Sequence, residues 1–334
     1  MKKIQRIFLL LLLLTMGLNA QNKVDSQGRK QGKWSKSYDN GNKKYEGSFE
    51  NDYEVGLFKY YYEDGKLRAE SVFSDKGRKT FTKSYHINGK LMSEGHYYNR
   101  LKDGNWNYFD EEGNKLKFES YKQGIKNGSW KVWDNKTSLV ESIEFENNMR
   151  NGVYYKNFYE RGYVFYNYVN DLRDGRFEDY YYYQKLKIQG NYKSDMKDGE
   201  WRYFDSIGNI TKTQVWRSDS LLSEKVRIEL GREEKYIETN TIAYFYPRGK
   251  RMFIALSDGE EISCINNFED FILLLSLDDF IMLNKRHKVY ANYSAIRGIE
   301  PKEDGEYYII LEPKSKTPII TDKESKPAME SLFR

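Results

Sequence analysis

Cysteine, histidine and proline are all scarce in this chain. A single cysteine, Cys264, excludes an intramolecular disulfide framework and any zinc site built on several cysteines. The three histidines, His86, His96 and His287, show no HExxH spacing, and His86 and His96 read as surface residues on strands. Five prolines in 334 residues argue against a proline-rich linker. There is no P-loop, no G-x-G-x-x-G opening a helix and no G-x-S-x-G nucleophile elbow. Acidic residues are scattered through turns such as Asp110-Glu111-Glu112, whereas a glycosidase needs two fixed carboxylates in a cleft. The expectation is a non-enzymatic protein with no cofactor and no metal. Charge of one sign is lacking as well. Against 50 Asp and Glu stand 55 Lys and Arg, and a net +5 does not by itself point to a nucleic-acid partner.

The first 20 residues read as a signal peptide. Lys2, Lys3 and Arg6 precede an apolar run, Ile7 to Leu14, and Leu18-Asn19-Ala20 suits cleavage before Gln21. The run is shorter than the roughly 20 residues of a bilayer span. An uncleaved anchor is the alternative, and in both cases the remainder lies outside the cytoplasm. No cysteine stands at the junction to carry a lipid. The chain is therefore expected to be exported, to a periplasm, a cell surface or the medium.

Aromatic residues are abundant, with 30 tyrosines and six tryptophans, and they recur in register. A glycine precedes an aromatic by two at Gly32 (Trp34), Gly56 (Phe58), Gly104 (Trp106), Gly128 (Trp130), Gly152 (Tyr154), Gly175 (Phe177) and Gly199 (Trp201). The steps are 24, 48, 24, 24, 23 and 24, and the 48 hides a degenerate copy at Thr80-Phe81-Thr82. A second glycine column runs through Gly41, Gly65, Gly89 and Gly113. A third column is aromatic: Phe49, Phe73, Tyr97, Tyr121, Phe145, Tyr168, Tyr192 and Trp216. Repeats of this length mark a stacked array.

Within each unit apolar and polar residues alternate, the period of a strand. Trp106 and Tyr108, or Trp201 and Tyr203, share one face, and Asp110–Gly113 and Asp205–Gly208 supply turns. Each unit is then a hairpin of two short strands. One hairpin is marginal in water, so the copies must stack. Stacking places Trp34, Phe58, Trp106, Trp130, Tyr154, Phe177 and Trp201 in one structural row. Sixteen strands would extend about 75 Å. Tyrosines such as Tyr60, Tyr61 and Tyr180 to Tyr183 could add a binding surface. The unit resembles the MORN repeat, in the bacterial variant grouped as the YwqK-like antitoxin family. Over residues 32–216 the resemblance implies a curved antiparallel sheet used for protein or membrane contact, and no chemistry.

The spacing ends after Trp216, and residues 217–235 read as a linker or a capping strand. From Tyr236 onward Ile, Leu and Phe dominate. Strands are expected at Ile242–Tyr246, Arg251–Leu256 and Glu261–Ile265, with a turn at 257–260. A helix is expected over Asn267–Leu277, where Asn267 and Asp270 resemble a capping pair. Further strands follow around Lys288–Ile299, Tyr307–Leu311 and Pro318–Thr321, then a short helix through Met329 and Leu332. This order, with Tyr290-Ala-Asn-Tyr-Ser-Ala-Ile296, resembles the LytTR DNA-binding domain over about 236–333. Asn292 and Ile296 match the end of that family's F-x-R-x-H/N-R-x-x-x-V-N-x-x-x-I phrase. The basic stretch Asn284–Lys288 stands about two residues out of register from Phe280, and Thr321-Asp322 replaces the usual Ser-Arg.

Two basic clusters could grip phosphates: Arg248, Lys250 and Arg251, and Lys285, Arg286, His287 and Lys288. A charged sheet edge that resists aggregation is the simpler alternative. Taken together, the expected fold is mainly β, an elongated antiparallel sheet of eight hairpin repeats followed by a small α+β domain over residues 236–334. The expected function is an exported scaffold binding a protein or an envelope component. A membrane surface is a further possible partner. A DNA-binding regulator is the alternative, with nucleic acid as partner if the chain is cytoplasmic.

Overall fold

The computed structural model describes residues 21–333, so the expected signal segment, residues 1–20, lies outside the described residues. The protein is mainly β, with long antiparallel runs of hairpin strands and few helices. It divides into two units. One runs to Phe158 and takes in Asn167–Leu172; the other comprises Tyr159–Tyr166 and the chain from Arg173 onward.

In the first unit the strands meander, each antiparallel to the next, from Lys30–Ser37, Lys43–Glu50 and Tyr53–Tyr61 to Leu139–Glu146 and Met149–Asn157. Two kinds of turn alternate. Within a repeat, Asp110–Gly113 closes with Gly113 N–H donating to Asp110 O at 3.0 Å. Between repeats, Asn51-Asp52 and Asn99-Arg100 have φ values of 49° and 68°, and 48° and 65°. Two left-handed residues in succession define the two-residue hairpin turn whose twist matches the strands it joins.

The glycine two residues before each first-row aromatic has a specific task. In Leu101–Phe109, Trp106 lies opposite Gly95 but the next pairing joins Asp103 to His96. Gly104 and Asn105 therefore bulge out, with Gly104 at φ +70°. A bulge of this kind needs a left-handed residue, which only glycine adopts at no steric cost. The bulge turns Trp106 flat onto the Gly95 backbone. A Cβ on Gly95 would stand 2.3 Å from the indole, and Gly47 and Gly190 stand in the same relation to Phe58 and Trp201. Those three rings are 2%, 3% and 2% exposed for Phe58, Trp106 and Trp201 respectively. Trp34, Trp130, Tyr154 and Phe177, from the same expected row, are only half-buried. The row is thus a core where the ring lies flat on a glycine of the preceding strand, and a partly covered surface elsewhere.

In the second unit Leu186–Lys193, Met196–Phe204 and Ile210–Arg217 continue the repeat pattern. Residues 217–235 hold the strand Ser220–Glu229, which pairs with both Ile210–Arg217 and Glu234–Glu238. Val226, Ile228 and Ile237 from this pair join Phe245, Ile254 and Phe271 in one buried cluster. The segment therefore covers the last repeat and supplies the first layer of the C-terminal core.

That region contains a five-stranded sheet in the order Glu261–Cys264, Arg251–Leu256, Ile242–Arg248, Val289–Asn292 and Phe280–Asn284. A three-stranded sheet of Ile296–Pro301, Tyr307–Leu311 and Ile319–Ile320 follows, with helices α1 (Phe268–Leu274) and α2 (Lys326–Leu332). The Asn267 side chain accepts from Glu269 N and Asp270 N at 2.9 and 3.2 Å, fixing the start of α1. The helix stops three residues before the expected Leu277. Leu275 is extended, and Ser276 Oγ donates to the buried Glu224 carboxylate at 2.9 Å. The expected strand Lys288–Ile299 is broken by a helical turn at Tyr293–Ala295, because Asn292 Oδ1 accepts from Ser294 N at 2.9 Å. Strand Phe280–Asn284 has no counterpart in the sequence reading.

A candidate binding cleft at an interrupted repeat

Along most of the repeat array the two aromatic rows interlock edge to face. Phe58 packs at 5.2 Å on Phe49 and 5.1 Å on Phe73, and Trp130 packs at 5.3 Å on both Tyr121 and Phe145. Such pairs contribute about 0.5–1.5 kcal/mol each beyond their burial.

A basic residue four positions before the first-row aromatic adds a third component. Lys30 Nζ lies 5.0 Å from the Trp34 ring centre and 4.7 Å from that of Phe49. Lys102 sits likewise over Trp106 and Tyr121, and Lys126 over Trp130 and Phe145. Arg150 covers Tyr168, Arg173 covers Tyr192, and Lys197 covers Trp201 and Trp216. The array is therefore laced by a ladder of cations held over ring faces. Sequence reasoning missed this column. Applying the same 24-residue step to Lys and Arg would have found it.

The ladder fails at one place. In strand Lys79–Tyr85 the triplet Thr80-Phe81-Thr82 replaces Gly-x-aromatic. With no glycine there is no bulge, and Ser71, Val72 and Phe73 pair in unbroken register with Thr82, Phe81 and Thr80. The two residues a bulge would absorb pass into the turn. They carry Arg78 out of the ladder, and it bonds Asp75 at 2.6 Å instead. The preceding ladder position holds Glu54, opposite in charge to the Lys or Arg of the neighbouring repeats. Ser71 stands where Gly47 and Gly95 stand in adjacent copies, its hydroxyl 2.9 Å from that of Thr82. Phe81 faces the opposite side, its ring 4.7 Å from that of His96.

A first-row ring at position 82 would bridge Phe73 and Tyr97. In its absence a cleft of about 660 Å³ opens, floored by Thr80, Thr82 and Ser84 and walled by Phe73 and Tyr97. This lies within the usual size range of ligand sites, about 300–1,000 Å³. Glu54, Arg68 and Arg100 also line it. Both arginines are exposed, and among the described residues neither they nor Glu54 make an ion pair. Burial, and after it the negative charge of Glu54, raises the Tyr60 hydroxyl above the ordinary tyrosine range, so Tyr60 stays a neutral hydrogen-bonding wall.

The other expected site residues fall differently. Arg248 and Arg251 flank the tip of one hairpin with Lys250, and Arg251 Nε donates to Ser263 Oγ at 2.7 Å. Arg248, Arg286 and His287 line one cleft of about 400 Å³, which also contains Glu306 and Asp322. Burial would raise the Asp322 carboxyl, but N–H donors of Arg286, Ser325 and Lys285 outweigh it and hold the group at about 2. Lys285 pairs with Glu324 at 2.5 Å, and Lys288 pairs with Glu269. The seven basic residues are thus split between a hairpin tip, a cleft shared with two carboxylates, and two ion pairs. Of the tyrosines, Tyr182 and Tyr183 are exposed, while Tyr61 donates to Glu46 Oε1 at 2.6 Å. His86 is half-buried; with its proton on Nε2 it donates to Phe109 O at 2.9 Å, as the Tyr62 hydroxyl donates to Tyr85 O at 2.7 Å. Among the described residues no helix is long and apolar enough to cross a membrane.

These features define a class, a protein of tandem antiparallel β-hairpin repeats with an α+β region at its C-terminal end. No family model matches the sequence, and no curated protein matches it. Among solved structures the chain is similar to a LytTr DNA-binding domain from Bacillus cereus, at 15% identity over 33% of this chain and 95% of that one, with a TM-score of 0.27.

Proposed function

We propose that this chain is an exported, non-enzymatic scaffold of MORN-like repeats that binds a protein or envelope component, and that the interrupted repeat is its seat. The observation that carries the reading is the cleft. Ring and cation fill the face of most repeats, whereas here bulge glycine and aromatic are replaced, Arg78 is drawn out of the ladder, and the preceding ladder position holds Glu54. The same segment presents Leu57 and Val72 on the other face, both about half-exposed and directly paired. Such a local irregularity suits recognition, since its walls, Phe73 and Tyr97, stand on strands paired into the sheet on both sides. The nucleic-acid alternative draws less support. Lys285 and Lys288 are engaged by glutamates, and the cleft holding Arg248 and Arg286 contains two carboxylates.

The test is the N-terminus and compartment of the full-length chain made in its native kind of cell. A mature chain beginning at Gln21 outside the cytoplasm is expected. An intact chain retained in the cytoplasm contradicts the export reading and makes DNA binding the first activity to assay.

A further inference from the structure

Resting on that reading, we infer that the cleft recognises a basic side chain of a partner polypeptide, a lysine or arginine with an acidic residue beside it. In the flanking repeats a Lys or Arg of the chain itself covers the rings, as Lys30 and Lys102 do. Phe73 and Tyr97 line the cleft with no cation of this chain over either ring among the described residues. The ladder position that would cover Phe73 holds Glu54, an anion on the cleft wall, and the one that would cover Tyr97 holds Arg78, which is drawn onto Asp75. An incoming ammonium or guanidinium would take the place that Lys30 and Lys102 occupy in their own repeats. It would meet two ring faces and a carboxylate, with the hydroxyls of Thr80, Thr82 and Ser84 accepting its N–H groups.

The rim selects what stands beside that cation. Arg68 and Arg100 border the same cleft. At the turn position of Arg100 other repeats carry an acceptor: Asp52, Asn148, Asp171, Asp195 and Asp219 each take the backbone N–H of the ladder residue 22 or 21 positions earlier. Arg100 and Lys76 reverse that polarity at the interrupted repeat. Glu54 is thus opposite in sign to the Lys and Arg of its column, and Arg100 is a cation where the other repeats named carry Asp or Asn, so the cleft is complementary to a neighbouring positive and negative pair. A neutral glycan meets the aromatic walls but leaves Glu54, Arg68 and Arg100 without counter-charges.

The test is calorimetric titration of the full mature chain with the peptide acetyl-Gly-Lys-Asp-Gly-amide, its acetyl-lysine counterpart, and chitotetraose. The lysine peptide is expected to saturate one site, and acetylating the lysine should weaken it about tenfold or more, the loss of one charge-assisted contact. Glu54→Lys supplies the ladder cation internally and should abolish binding while leaving the melting temperature unchanged or raised. Ser71→Gly with Thr82→Trp fills the cleft and should abolish binding as well. Equal affinity for the acetylated peptide, undiminished binding by Glu54→Lys, or saturation by chitotetraose without binding of the lysine peptide would each overturn the inference. Export and scaffold function would then stand or fall separately, on the compartment of the chain.

Discussion

Replacing Gly95 with alanine tests the packing logic of the repeats through one methyl group. The added Cβ would lie 2.3 to 2.6 Å from three atoms of the Trp106 ring. The indole cannot swing aside freely, because its Nε1–H donates to His96 O at 3.0 Å and its edge meets Tyr97 at 4.8 Å between centroids. Relief requires either loss of that bond or separation of strand Leu91–Tyr98 from Leu101–Phe109. Overpacking of this kind costs about 1–3 kcal/mol. For a cooperative unit of about 150 residues each kcal/mol lowers the melting temperature by about 2–4 °C. Thermal melts followed by tryptophan fluorescence would measure it, with Val153→Ala at an exposed site as the control, expected within about 0.5 kcal/mol of the parent. A Gly95→Ala protein that melts with the control would refute the claim that a bare backbone under the ring is what buries Trp106.

Three further outcomes follow from the same geometry. Thr82→Trp alone should destabilise, since Ser71 carries a side chain where Gly95 carries none; adding Ser71→Gly should restore stability, with a coupling of at least about 1 kcal/mol in the double-mutant cycle, and additive effects would contradict it. Burial would raise the Glu119 carboxyl, but bonds from Lys117, Tyr108 and Tyr121 outweigh it and hold the group at about 2. A carboxyl lowered on folding stabilises above its unfolded value, near 4.3, and loses that contribution as pH falls towards about 2, so near-UV circular dichroism should show an acid step that Glu119→Gln lacks. In the C-terminal region Asn267→Ala removes the acceptor at the start of α1 and should cost about 1 kcal/mol in chemical denaturation.

The sequence revealed the strand period, the 24-residue step and the gap at Thr80–Thr82, because each is a property of spacing. It also marked the turns at Asp110–Gly113 and Asp205–Gly208, where Asp and Gly chemistry is local. It did not reveal which rings are buried, since that depends on the residue beneath each ring on the preceding strand. Trp106 above Gly95 is sealed, whereas Trp130 is only partly buried. Strand Phe280–Asn284 and the break at Tyr293–Ala295 were hidden for a related reason. The break is set by the Asn292 side chain, and Phe280–Asn284 is a five-residue edge strand in a hairpin with Val289–Asn292, which alone of the two pairs with the distant Ile242–Arg248. The cleft was legible only as a missing aromatic. Its charges are visible once both columns are known: Glu54 breaks the basic column, and Arg100 stands where other repeats carry a turn acceptor.

The most direct measurement is site-specific photocrosslinking in intact producing cells from a benzophenone residue at Met92, which lines the cleft, compared with one at the exposed Val153. A discrete adduct from position 92, absent from position 153 and lost when Ser71→Gly and Thr82→Trp fill the cleft, is the expected result. The same adducts from both positions, or an adduct from position 92 that persists with the cleft filled, would contradict the claim that the interrupted repeat is where this scaffold holds its partner.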